Sequence, residues 1–385
     1  MKEKIQVVGS VAGRQDSSAP SSATLVIPIV VTEKRASVNP LIRWTQGKMI
    51  GQGAFGKVFL ALNMDTGDIM AVKQVLLGPS SAMNGKLLNA AAEANKKKQT
   101  EALERELEVL KELEHENIVR YLGFELKDGS LNVFLQYVSG GSIASLLSKT
   151  GKLDMLVARY FTFQILCGMA YLHSKNIIHR DVKGANILVD ADGICKISDF
   201  GTSKKNSYQM AYQRVTRMSM QGTIPWMAPE VAKGKGYSAK VDIWSVTCMV
   251  LEMMTGLPPW HKVSASIIYL LGTGNSPPIA EDLPQLAKNF LKAGFVIDPE
   301  KRPTALELVD HEFCRLSKAD SESLDFKAWV LVAEERRAAE LAENEEEESD
   351  YTDSDEDDSA DDSAVDSDEE SVIDSDDHGI EIEEV

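Results

Sequence analysis

His179-Arg-Asp181 is followed, after four intervening residues, by Asn186, and Asp199-Phe-Gly201 comes shortly after. Two carboxylates and an amide at these intervals suit phosphoryl transfer from a nucleotide, which needs a positioned hydroxyl and metal ions that neutralise the phosphates. In that chemistry Asp181 orients the hydroxyl and accepts its proton, while Asn186 and Asp199 hold Mg²⁺. Lys183, two residues past Asp181, reaches the transferred group and offsets its charge.

Gly51-Gln-Gly-Ala-Phe-Gly56 fits G-x-G-x-x-G, a pattern that alone also describes an ordinary glycine-rich turn. In a dinucleotide-binding unit it would open a helix, but Lys57-Val-Phe-Leu-Ala-Leu62 continues as a strand. Gly51, Gly53 and Gly56 would then form a hairpin flap over phosphates. Lys73 ends the next apolar strand, where a lysine can simply snorkel to solvent. Glu106 falls on the apolar stripe of Leu103, Leu110 and Leu113, and a carboxylate there needs a cation. Paired with Lys73, it would hold the ammonium where phosphate oxygens bind.

In this order, with Ala228-Pro-Glu230 downstream, the motifs resemble those of eukaryotic protein kinases over about 44–313. The resemblance implies an α+β, bilobal fold. A small antiparallel β-sheet lobe with one key helix would span 44–138, and a mainly helical lobe 139–313. It implies ATP and Mg²⁺ as cofactors, Leu135 as gatekeeper, and backbone groups of Gln136 and Val138 bonding adenine. Ile50, Val58, Ala71 and Leu188 would sandwich the ring, and Glu230 would pair with Arg302 structurally. Lys183 and Gly222-Thr223 resemble the serine/threonine branch, with Thr223 bonding Asp181 and Lys183.

Tyr121-Leu-Gly-Phe-Glu125, Phe134 to Leu147 and Trp226-Met-Ala-Pro-Glu230 are most similar to MAP kinase kinase kinases of the STE group, those of the fungal cell-wall-integrity type and its animal and plant relatives. That implies a protein partner, a MAP kinase kinase, as substrate. A Ste20-like kinase one tier higher shares overlapping motifs. A catalytically silent scaffold is the rival of another class, but Lys73, Asp181 and Asp199 are all present. The chain departs from the family at Gly222-Thr-Ile-Pro-Trp226 and at Thr247, where a glycine is common. Arg180 and Lys204 could order the segment 202–222 by pairing with a phosphate, and Ser219, then Thr216, are the expected switch hydroxyls.

The positioning elements follow from periodicity. Residues 48–62 and 69–75 read as strand, turn, strand, and 78–100 as a long connector. A helix is expected over 101–114, and two strands over 118–138 about the turn Lys127-Asp-Gly-Ser130. Helices are expected at 142–149, 153–175, 238–256 and 302–311, and 322–342 can form one more. Residues 1–43 read as a mostly unstructured extension.

Of 59 acidic side chains in the 385-residue chain, 23 lie in 343–385, which holds no Lys or Arg. Residues 1–342 therefore carry 36 acids against 41 bases, so an acidic, disordered tail follows a mildly basic body. Six of the tail's serines, Ser354 to Ser375, have acids close behind and suit an acidophilic kinase. The basic excess is too small to argue for nucleic acid, and no nucleic-acid motif is present. Four scattered cysteines without a C-x-x-C pair argue against a disulfide framework or zinc site and for a reducing compartment. No secretory leader is expected, nor an apolar run near the ~18 residues of a membrane span. The expected location is cytoplasmic, with the nucleus left open.

Overall fold

The computed structural model describes residues 42–53, 56–76, 107, 110–200, 204–205, 224–234, 236, 238–263 and 265–352. Five antiparallel strands, β1 (Trp44–Gly53), β2 (Gly56–Asn63), β3 (Ile69–Leu76), β4 (Tyr121–Lys127) and β5 (Ser130–Gln136), form a sheet in the order β1-β2-β3-β5-β4. Asp128 and Gly129 join β4 to β5 with φ of 50° and 72°, the left-handed pair that a two-residue hairpin requires.

Alternation gives the sheet two distinct faces. On one, Ala61, Met70, Val72 and Phe134 are buried together, and Trp44 meets Phe134 edge-on at 5.6 Å. On the other, the register aligns Val58 with Lys73 and Val133, and Leu60 with Ala71 and Leu135. Val58, Ala71, Lys73 and Leu135 therefore share one side.

The second layer is helical: α1 (Ile143–Thr150), α2 (Met155–Ser174), α3 (Pro229–Ala232), α4 (Lys240–Thr255), α5 (Ile267–Gly272), α6 (Gln285–Gly294), α7 (Ala305–Val309), α8 (Lys318–Ser323) and α9 (Phe326–Thr352). Two short antiparallel pairs carry loops between them: β6 (Ile177–Ile178) pairs with β9 (Lys204–Lys205), and β7 (Ile187–Val189) with β8 (Cys195–Ile197). Helices α2 and α4 make the centre of the core; Phe161, Ile165, Leu166, Trp244, Met249 and Val250 are all fully buried.

Three expectations change. Helix α2 is long and apolar enough to cross a membrane by length and composition, contrary to the sequence reading. Its apolar residues on several sides are explained by burial within the lobe. The helix expected over 302–311 begins only at Ala305, because Thr304 and Glu307 close a capping box after Pro303. The helix expected over 322–342 starts at Phe326, where the Asp325 carboxylate accepts the Ala328 N–H at 3.1 Å, and runs on to Thr352. Ala, Leu and Glu are strong helix formers, and like-charge i,i+4 pairs cost only about 0.2–0.5 kcal/mol each.

Thr247, the departure in α4, has a counterpart across the core. A Cβ built on Gly294 of α6 would lie 1.9 Å from Thr247 Oγ1 and 2.8 Å from its Cγ2. The extra volume on one helix is thus accommodated by a glycine on the other. Gly294→Ala is expected to destabilise the protein by about 1–3 kcal/mol through overpacking. Thermal melts of Gly294→Ala and of Gly294→Ala/Thr247→Gly check this: the double variant should be the more stable of the two.

Candidate active site

Asp242 organises the catalytic loop from within α4. Fully buried, it accepts the backbone N–H of His179 at 2.9 Å and of Arg180 at 2.8 Å, and lies 2.8 Å from His173 Nε2. Burial pushes its carboxyl up, but the His173 hydrogen bond and the Arg180 N–H hold it below the usual range. Arg180 has a φ of 69°, a left-handed geometry unfavourable for a side-chain-bearing residue, which its N–H bond to Asp242 stabilises.

The loop then brings three chemical groups together. Lys183 Nζ lies 3.2 and 2.9 Å from the two carboxylate oxygens of Asp181. Asn186 Nδ2 donates to Asp181 Oδ2 at 2.9 Å and to the Asp181 carbonyl at 2.7 Å. With its amide nitrogen used on Asp181, Asn186 has its side-chain oxygen to offer a cation. His179 accepts the Asp181 N–H at Nδ1, 3.3 Å, and contacts the Ser198 carbonyl through Nε2, 2.9 Å, which assigns the ring proton to Nε2. Phe200 packs edge-on against the same ring at 5.4 Å.

Asp199 follows the end of β8 by two residues and turns into the site with a φ of 57°. Its Oδ1 is 2.5 Å from Lys73 Nζ, linking the sheet to the helical lobe. Ser198 donates through both its N–H and its hydroxyl to the Asn186 carbonyl, each at 2.9 Å, so the two proposed cation ligands are tied together. Among the described residues no group of three or more His, Cys, Asp or Glu could hold a metal alone. A pair of oxygen donors suits a hard cation whose remaining ligands are phosphate oxygens and water.

The glycines of the flap differ in role. Gly56 has a φ of 135°, and a Cβ there would sit 2.1 Å from the Gln74 carbonyl oxygen, so the backbone itself demands glycine. At Gly51 a Cβ would make only ordinary contact with Val58, at 3.8 Å, so the backbone there does not itself demand glycine. Gly53 pairs with Gly56 at the hairpin end.

Ile50 is exposed on β1, and Val58 and Ala71 lie on the Lys73 face. Gln136 gives its N–H to the Arg120 carbonyl at 2.8 Å, so its carbonyl is the backbone group it can offer a base. Val138 is buried, and Leu188 in β7 bridges to Ser142 beside α1. Glu106, Thr223, Ser219 and Thr216 lie outside the described residues, as do the 1–41 extension and the tail from 353; of Lys204 only its strand pairing with Ile178 is described.

Downstream, Arg302 forks onto Glu230 at 2.8 and 3.0 Å, both residues buried, with its guanidinium 5.1 Å from the Trp244 ring centre. Trp226 donates through Nε1 to Glu252 Oε2 at 3.3 Å, and Ser245 Oγ donates to the Trp226 carbonyl at 2.9 Å. Burial pushes the Glu252 carboxyl up to about 7, partly offset by the Trp226 N–H. The unfolded chain therefore loses this proton first, and stability falls as pH rises from the ordinary carboxylate range to about 7. Glu252→Gln should remove that slope, an effect on the order of 2 kcal/mol between pH 5 and 8, read from melts of both proteins.

Sequence reasoning missed Asp242, His173 and Gln164. Gln164 accepts the Cys195 N–H at 3.0 Å and donates to the Gly193 carbonyl at 3.0 Å, fixing the β7–β8 turn from inside α2. Asp242 and Gln164 are polar residues in apolar helical runs, the signal that singled out Glu106.

The protein kinase domain family matches residues 44–314. Over 296 residues, 75% of this chain, it is 47% identical to the serine/threonine-protein kinase BCK1/SLK1/SSP31 of Saccharomyces cerevisiae, covering 19% of that protein. It is 46% identical over 282 residues to MCK1 of Pyricularia oryzae, named a mitogen-activated protein kinase kinase kinase, covering 71% of this chain and 18% of that one. Mitogen-activated protein kinase kinase kinase 2 of Arabidopsis thaliana is 43% identical over 296 residues, 76% of this chain and 44% of that one. The chain thus spans less than half the length of each of these relatives. With its 44–314 region matched, and with Asp181, Lys183, Asn186, Asp199 and Phe200 assembled as described, the chain belongs to the protein kinase domain family.

Proposed function

We propose that the protein is an ATP- and Mg²⁺-dependent protein serine/threonine kinase of the MAP kinase kinase kinase tier, transferring the γ-phosphate to serine or threonine of a MAP kinase kinase. The observation that carries this reading is the bracketing of Asp181 by Lys183 and Asn186, with Asp199 held by Lys73. Asp181 orients the substrate hydroxyl and accepts its proton, and Lys183 offsets charge on the transferred group. Lys73 and the glycine flap bind phosphates, while Asn186 and Asp199 would hold the cation. Bound Mg²⁺ supplies neutralisation of phosphate charge. The names of the similar fungal and plant kinases support the tier. The four free thiols support a reducing compartment, the cytosol or nucleus.

A competition assay tests the tier: equal amounts of inactive MAP kinase kinase and of Asp181→Asn protein are offered to the wild type. Preferential labelling of the MAP kinase kinase on its activation segment is expected. Preference for the Asp181→Asn chain would place the enzyme one tier higher.

A further inference from the structure

Helix α9 lies beyond the matched domain, yet its first turns are built into the helical lobe. Phe326 is 8% exposed and packs on Phe161 of α2 with ring centres 5.6 Å apart, and Trp329 stacks on it at 5.9 Å. Ala333, two turns on, is 1% exposed. Trp329 Nε1 donates to Asp154 at 2.6 Å and Arg336 to the same carboxylate at 3.2 Å. Asp154 occupies the N-cap of α2, but its side chain makes no capping bond to that helix. Its carboxylate serves α9 instead.

The same first turn rests on the closed end of the β7–β8 hairpin. Gly193, at a φ of 81°, lies so close that a Cβ there would be 2.9 Å from Phe326 Cγ and 3.1 Å from its Cβ. Lys327 reaches Asp192 in the same turn at 2.8 Å. That hairpin is only three residue pairs long. Asn186 directly precedes β7, and Asp199 follows β8 by two residues. A side chain wedged under the closed end therefore sets the tilt of the open end, where both groups emerge. Lys327 and Asp192 are largely exposed, so their pair contributes little and the aromatic wedge carries the contact.

We propose that Phe326 is a positioning residue for Asn186 and Asp199, acting from outside the matched domain through Gly193 and the β7–β8 hairpin. The meaning of that pair as a cation site rests on the proposed function; the coupling itself does not. Loss of the wedge lets the hairpin rock, which weakens cation-dependent nucleotide binding more than cation-free binding.

Hydrogen exchange by mass spectrometry on the full chain tests this, comparing wild type with Phe326→Ala, Phe326→Leu and Arg336→Ala. Phe326→Ala should speed exchange in 324–340 and also in 184–199, Phe326→Leu should do so less, and Arg336→Ala, which leaves the wedge seated, should spare 184–199. Calorimetry with a non-hydrolysable ATP analogue should show affinity in Mg²⁺ falling about tenfold in Phe326→Ala, as for loss of a group that orients a metal ligand. Without Mg²⁺ the affinity should be unchanged. Faster exchange confined to 324–340 would overturn the proposal. If Phe326→Ala unfolds, Phe326→Leu gives the same comparison at smaller amplitude. The exchange comparison needs no turnover, so it decides the coupling even if the wild type transfers no phosphate, a result that would count against the proposed activity alone.

Discussion

Asp181→Asn is expected to lower the rate of phosphoryl transfer by about 10²–10⁴, the range lost when a positioned general base is removed. The amide cannot accept the hydroxyl proton, and it deprives Lys183 of the two carboxylate oxygens that hold it at 3.2 and 2.9 Å. Lys73 and Asp199 lie on other elements and keep their 2.5 Å contact, so KM for ATP should change little. Asn186 still has the Asp181 carbonyl at 2.7 Å, and Asp242 still holds the loop backbone, so the fold should survive. Initial rates at saturating ATP, with a thermal melt of the same sample, check both halves. A collapse of KM or of the melting midpoint would mean that Asp181 acts through structure.

The largest stability effect is expected at Arg302. Its guanidinium is fully buried, forks onto Glu230, donates to the Val296 and Lys240 carbonyls at 2.9 and 2.7 Å, and lies over Trp244. Arg302→Met leaves Glu230 buried without its cation, which should cost about 3–5 kcal/mol. Glu230→Met/Arg302→Met removes the stranded charge along with its partner and should recover part of that loss. Thermal or urea unfolding of the two variants separates the cost of the orphaned carboxylate from the worth of the pair.

Much of the candidate site was legible because its parts are local in sequence. Asp181, Lys183 and Asn186 span one loop, and the hairpins of the sheet announce themselves through alternation and Asp128-Gly129. What escaped is what joins distant segments. Asp242 lies 63 residues from His179, and no spacing rule links them. A polar side chain in an apolar helix signals that a partner exists but not which one. Thr247 was visible as a departure where a glycine is common, while Gly294 as its counterpart required the two helices side by side. The seat of α9 was hidden for the same reason: Phe326 is an unremarked aromatic until Gly193 and Phe161 are brought beneath it. Glu106 and Thr223 complete the expected site but lie outside the described residues.

The most direct measurement is transfer of labelled γ-phosphate from ATP to an inactive MAP kinase kinase, with Mg²⁺ and then with a chelator in excess, and with the labelled residues mapped. Label on serine or threonine of the substrate's activation segment that disappears with the chelator is the expected result. No label on any protein substrate, in a preparation that is folded and binds ATP with Mg²⁺, would contradict the assignment of Asp181, Asn186 and Asp199 to phosphoryl transfer.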